Sequence, residues 1–138
     1  KPDFFSKHNT SYWQGKQYLG VGPSAHSFND TSRQWNVRNN LLYSKEIGNG
    51  TAYFEKEELS EIDRYHEHLI TSLRTMWGIN LNSLNVSFSD LILSQFYLKV
   101  ETLNKTIVNL SAEYLTVKPE YLFQSDEIVR ELMIDFEA

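Results

Sequence analysis

The pattern of apolar and polar positions changes character near residue 60. Behind Ser60-Glu61-Ile62-Asp63, which reads as an N-cap with an acidic third position, Ile62, Tyr65, Leu69, Ile70, Leu73 and Met76 recur at helical spacing. Gly78 closes that predicted helix. A second start signal at Ser87 to Asp90 precedes Leu91, Ile92, Phe96, Val100 and Leu103, which predicts another amphipathic helix of about four turns. Ile107 to Leu110 and Tyr114 to Val117 flank Ser111-Ala112-Glu113 as a hairpin with a three-residue loop would. Pro119 then opens a last helix with Leu122, Val129, Leu132, Met133 and Phe136 on its apolar face. Helices followed by a hairpin and a helix predict a small α+β unit resembling a winged helix.

The first sixty residues carry less periodicity and more punctuation. Tyr18 to Val21 is short and apolar, interrupted by Gly20 and followed by Gly22, and predicts a buried parallel strand that leaves through Gly22-Pro23 into a loop. Glycines at a strand end allow backbone to approach a ligand closely, so functional residues are expected in the first forty positions. Asn40 to Ile47 predicts a short helix stopped by Gly48-Asn49-Gly50, and the polar, acidic Thr51 to Leu59 reads as a connector.

Composition narrows the chemistry. A chain of 138 residues can bury one substantial core. With no cysteine it can form no disulfide, thiolate metal site, cysteine nucleophile or cysteine-bound iron–sulfur cluster of its own. The net charge of −5 is spread over both signs without a basic stripe, so nonspecific nucleic-acid binding lacks its driving force. A winged-helix DNA-binding regulator is the rival function from another class, but Asp90 to Lys105 sets Asp90 and Glu101 beside Gln95, Lys99 and Lys105. No apolar run approaches the roughly 18 residues a membrane span needs. The start at Lys1, without an initiator Met, suggests a piece of a longer protein.

Several residues invite a chemical reading beside a structural one. Gly20-x-Gly22-x-x-Ala25 formally fits a dinucleotide fingerprint, yet Pro23 and the polar run His26 to Arg33 predict no helix to receive a pyrophosphate. His66 and His68, two apart on a helix, point to different faces and cannot share a metal. His8 and His26, each expected in a loop among aromatic residues, are the better ligand candidates, against the commoner role of a histidine that hydrogen-bonds its surroundings. Arg74 is expected at the surface or paired with Glu67 or Glu61. Trp13, Tyr18, Phe28, Trp35 and Tyr43 fit either ordinary core or the wall of a flat-ring site.

Taken together, His8-Asn9-x-x-Tyr12-Trp13, Tyr18-Leu19-Gly20-x-Gly22-x-x-Ala25-x-Ser27, Arg33-x-x-Asn36 and Tyr43 resemble the C-terminal part of the oxygen-independent coproporphyrinogen III oxidase-like family, radical SAM proteins that include haem chaperones of the HemW type. Glu67, Leu73-Arg74-Thr75, Gly78-Ile79 and Leu115-Thr116 extend the resemblance nearly end to end. It implies that residues 1–50 are the C-terminal end of a partial (β/α) barrel and residues 51–138 a mainly helical, winged-helix-like accessory domain. It also implies that the barrel proper, with a [4Fe–4S] cluster and S-adenosylmethionine, precedes this chain, and that the chain alone is not an enzyme.

On the same resemblance the loop from Gly22 to Ser27 faces the cofactor and substrate cavity, as loops at the C-terminal ends of barrel strands do. The expected binding residues are His8, Asn9, Tyr12, Trp13, Gly20, Gly22, Ala25 and Ser27, with His8 a candidate ligand to haem iron. The expected partners are the N-terminal barrel of the same protein, haem or a porphyrinogen, and haem-acceptor proteins, in the cytoplasm, without nucleic acid or stable membrane insertion. Two activities are open: haem delivery and oxidative decarboxylation of porphyrinogen propionates. Since no thiolate is present, anaerobic reconstitution of this chain with iron and sulfide is expected to give no stoichiometric charge-transfer band; such a band with bound iron and sulfide would contradict the assignment.

Overall fold

The computed structural model describes residues 6–51 and 54–136, which fall into two compact units, Lys1–Ser60 and Glu61–Ala138. In the first, helix α1 (Lys7–Trp13) is capped by Ser6, whose Oγ accepts from the Asn9 N–H at 3.4 Å. Strands β1 (His26–Phe28) and β2 (Ser32–Asn36) form a hairpin, and after helix α2 (Asn40–Gly48) strand β3 (Phe54–Glu58) returns to pair with β2. All pairing is antiparallel, in the order β1-β2-β3, with Trp35 opposite both His26 and Glu55.

The hairpin turn follows from its residues. Asn29 Oδ1 accepts from the Ser32 N–H at 2.9 Å and the Ser32 hydroxyl at 2.8 Å, while Asp30 takes the left-handed φ of 74° that Asn and Asp tolerate. Asn39 caps α2 by accepting from the Leu42 N–H at 3.0 Å. The buried residues described in this unit are two serines, Ser27 and Ser32. Among the described residues, polar contacts and ring packing, and not a buried apolar core, hold it together.

The second unit contains the core. Helix α3 (Glu61–Leu73) leads through β4 (Ile79–Asn80) into α4 (Leu81–Ser87) and α5 (Asp90–Thr102). Strands β5 (Val108–Leu110) and β6 (Tyr114–Val117) follow, then a 3₁₀ turn at Pro119–Gln124 and α6 (Ser125–Leu132). The antiparallel sheet runs β4-β6-β5. Leu69, Leu73, Leu84, Phe96, Leu115 and Leu132 are fully buried. At about 1.5–3 kcal/mol for each large apolar side chain buried, this cluster is the dominant gain against chain entropy. Tyr65 is buried among them and donates to the Leu132 carbonyl at 2.8 Å, tying α3 to the end of α6; burial pushes its phenol well above its ordinary pKa. Glu61 accepts from both the N–H and the hydroxyl of Ser89, at 2.7 and 3.0 Å, so the start of α5 is capped from α3.

Helices α2, α3 and α5 and the 108–117 hairpin lie where the sequence pattern puts them, whereas His8 and His26, expected in loops, lie on α1 and β1. Four further features differ. Tyr18 to Val21 joins neither sheet: Tyr18 makes one antiparallel bridge to Phe28, and Leu19 and Val21 are 77% and 83% exposed. No parallel neighbour lies among the described residues to pair with that run. The acidic stretch after Thr51 is not only a connector, because residues 54–58 complete the first sheet as a charged edge strand. The predicted first long helix stops at Leu73, leaving Met76 outside it and exposed, and the last splits into a 3₁₀ turn and α6, with Phe136 beyond both. Arg74 pairs with neither Glu67 nor Glu61 but donates from Nε and Nη2 to Asp126 at 3.2 and 3.1 Å, a solvent-facing bond of about 0–1 kcal/mol.

His68 on α3 is the one weak point in this core. Its Nε2 is buried with no hydrogen-bond partner among the described residues, its ring lies 5.9 Å from that of Phe88, and burial lowers its pKa. The folded state thus resists a proton that the unfolded chain accepts near pH 6.5, so stability is fully present above that pH and declines as pH falls toward the folded-state value. His68→Leu is expected to stabilise the chain by about 1 kcal/mol at neutral pH and to flatten the loss between pH 7.5 and 5.5. Paired denaturant melts at the two pH values check both effects.

Candidate functional site

The segment from Gly20 to Ser27 is bent into a tight loop and pinned from three directions. Gly20 passes so close to β1 that a Cβ there would lie 2.2 Å from the His26 carbonyl oxygen and 2.9 Å from Ala25 Cβ; only glycine fits. Its N–H donates to Ser27 Oγ at 2.9 Å. The Asn36 side-chain amide donates to the carbonyls of Gly22 and Gly20, at 2.9 and 3.3 Å, bridging the two ends of the turn. Tyr43 reaches over from α2, its hydroxyl accepting from the Gly22 N–H at 3.0 Å. Ser24 donates to the Val37 carbonyl at 3.1 Å from a left-handed φ of 61°, and Gly22 sits at 106°. A β-strand follows the loop, so no helix N-terminus is available for a pyrophosphate.

Beside the loop runs a row of rings. His8 and Tyr12, four apart on α1, share one face of that helix. Tyr12 packs edge-on to Trp13 with centroids 5.2 Å apart and lies 5.9 Å from Tyr18, which lies 6.1 Å from Phe28. Tyr12 is 50% exposed, and no hydrogen bond among the described residues holds the exposed imidazole of His8. Burial, then Tyr12, push the Tyr18 phenol up, while the Arg33 guanidinium pulls it down. An open depression of about 360 Å³ lies alongside, lined among others by Tyr18, Leu19, Ser27, Phe28 and Gln34.

The predicted residues thus divide into two groups within the first unit. Gly20, Gly22, Ala25 and Ser27 come together in the loop, where they shape backbone. His8, Asn9, Tyr12 and Trp13 lie on α1, where His8 and Tyr12 present side chains to solvent. His26 packs against Trp35 on the sheet, with centroids 6.2 Å apart, and Trp35 donates to Glu55 at 2.9 Å. His66 Nε2 lies 3.0 and 3.2 Å from the backbone O and N of Ile134, a structural contact. Among the described residues no group of three or more His, Asp or Glu gathers as a metal site, and no helix is long and apolar enough to cross a membrane. The parts that Asn36 and Tyr43 play in fixing the loop were not readable from the sequence, since each acts over 14 or more residues of separation.

No family model matches the chain. It is 30% identical over 88 residues to the heme chaperone HemW of Mycobacterium tuberculosis, a match covering 63% of this chain and 23% of that protein. To the heme chaperone HemW of Bacillus subtilis it is 32% identical over 76 residues, 54% of this chain and 20% of that one. The matches therefore span less than a quarter of the length of these curated relatives. Among solved structures, coproporphyrinogen III oxidase (HemN) from Escherichia coli, described as a radical SAM enzyme, shares the fold with a TM-score of 0.63 at 14% identity, over 96% of this chain and 35% of that one.

The pinned loop makes a specific stability demand. Gly20→Ala is expected to cost about 3 kcal/mol or more, because the obstacle is backbone that cannot move aside, whereas Asn36→Ala should cost about 1–3 kcal/mol by removing the donor to the Gly20 carbonyl and leaving the Gly22 carbonyl with the Ala25 N–H at 3.3 Å. Limited proteolysis reads this directly: both variants should be cut faster between Gly20 and Asn29, with α3 to α6 unaffected.

Proposed function

We propose a role for this chain on the premise that it is a HemN/HemW-like C-terminal part: it forms one wall of a tetrapyrrole site in a longer radical SAM protein, and that protein binds haem and passes it on. The observation that carries the reading is the row His8, Tyr12, Tyr18 and half-buried Phe28, an imidazole at the exposed end of an aromatic surface. Imidazole is a good ligand to haem iron, and flat aromatic faces suit a porphyrin ring. The curated relatives are heme chaperones, which favours delivery over turnover.

In this reading Asn9 and Trp13 support the ligand face of α1, and Gly20, Gly22, Ala25 and Ser27 hold the loop that faces the bound ring. The [4Fe–4S] cluster and S-adenosylmethionine belong to an N-terminal barrel, since this chain has no thiolate to ligate iron. That barrel is the partner for the apolar side chains the first unit leaves in water, among them Leu19, Val21 and Leu41. The second unit serves as a winged-helix-like accessory domain. The protein acts in the cytoplasm, with a haem-accepting protein as its further partner. Oxygen-independent coproporphyrinogen oxidation is the second reading, favoured by the fold shared with HemN. A DNA-reading role draws no support: α5 exposes Leu91 and Leu98, 59% and 58% accessible, where base-reading side chains would be needed.

In the full-length protein, His8→Ala is expected to weaken haem binding and shift the Soret band while leaving cluster assembly intact. Haem titration followed by absorbance checks it, and an unchanged spectrum with unchanged affinity returns His8 to a structural role. Porphyrinogen turnover in the same samples would favour the oxidase reading.

A further inference from the structure

The aromatic row does not end at Phe28. Phe28 is the direct cross-strand partner of Arg33, and Tyr18 is bridged to Phe28 from the other side. Side chains of directly opposed residues share a face of the sheet, so the guanidinium of Arg33 continues the row of rings. The depressing effect of Arg33 on the Tyr18 phenol independently places it close to that ring. One surface therefore carries an imidazole at one end, aromatic faces between and a fixed cation at the other.

The surrounding charge points the same way. The chain carries a net −5, yet residues 4–29 contain no Asp or Glu and include Lys7 and Lys16. The nearest acid across the sheet is Glu57, opposite Arg33 on β3. Arg33 is already engaged within the protein, and a guanidinium has five donors to share between partners. We propose that Arg33 is the carboxylate-recognising residue of this surface, so that its ligand is a planar ring bearing free carboxylates and an uncharged ring is discriminated against. This rests on the tetrapyrrole reading above and adds to it the end of the ring system that the protein grips. Glu57, opposite Arg33 on β3, is a like charge that repels the incoming carboxylate.

The test uses two probes with the full-length protein: haem, and haem dimethyl ester, whose propionates carry no charge. Wild type should bind haem about three- to tenfold more tightly than the ester, the range for a solvent-facing, charge-assisted contact. Arg33→Gln should remove that preference by weakening haem alone, and Arg33→Lys should restore part of it. Glu57→Gln should tighten haem by about twofold and leave the ester unchanged. Equal affinity of wild type for the two probes overturns the proposal, even with His8→Ala still shifting the Soret band and so leaving the tetrapyrrole reading in place. An Arg33→Gln variant that loses both probes equally, together with no effect of Glu57→Gln, also overturns it, because Arg33 is then a structural residue. If wild type binds neither probe, the tetrapyrrole reading falls and this proposal with it.

Discussion

A single carboxamide carries much of the first unit. Asn36 donates to the carbonyls of Gly20 and Gly22, and without it the Gly20 carbonyl would lose this donor and the Gly22 carbonyl would keep the Ala25 N–H at 3.3 Å. The dependence is acute because the described residues of the unit form no apolar core: those that are buried are serines, and several large apolar side chains face water. Hydrogen bonds net only about 1 kcal/mol each in water, so a unit held mainly by them is sensitive to the loss of any one. The precision of the loop and the fragility of the unit have the same origin.

The second unit shows the opposite economy. Its helices and small sheet enclose a continuous apolar cluster, and its few buried polar groups are mostly paired, as Tyr65 is with the Leu132 carbonyl. It therefore supplies its own stability. The first unit, with exposed Leu19, Val21 and Leu41, has surface that in water is a liability and against another polypeptide is an asset. That difference separates the two units physically as clearly as the break at Ser60 does in the chain.

How much could be read from sequence follows the same division. Where burial drives folding, periodicity announces it: α3 and α5 carry their apolar stripes in plain sight, and Pro119 marks the start of the last helical segment. Where side-chain hydrogen bonds and long-range pairing drive it, pattern is silent. Residues 54–58 form a strand because β2 needs a neighbour, although Glu55, Glu57 and Glu58 give them no apolar alternation. Tyr18 to Val21 has strand composition, but a strand is defined by its partners, and the described residues contain none parallel to it. Gly20 was legible as a point of close approach, expected toward a ligand, and what comes near it is the chain's own backbone: a Cβ there would lie 2.2 Å from the His26 carbonyl oxygen, whereas one at Gly22 would meet nothing within 4 Å. That Asn36 and Tyr43 pin the loop was not legible, because only the folded chain brings them near it.

The openness of the ring-lined surface bears on which of the two proposed activities it suits. Sites that hold a small molecule through a chemical step bury most of its area and exclude water, since that is how they sharpen electrostatic contacts and suppress side reactions. A surface with Tyr12 half exposed and a depression open to solvent covers a flat ring on one side at most. Within a longer protein a covering segment could close the other side, and turnover would then need that closure. Transfer needs the reverse, a face that stays accessible so that an acceptor can take the ring before the donor has fully let go. On the proposed reading, an imidazole at one end and a guanidinium at the other would fix orientation with two contacts and leave the rest of the ring free, which is an arrangement suited to handing a ligand on.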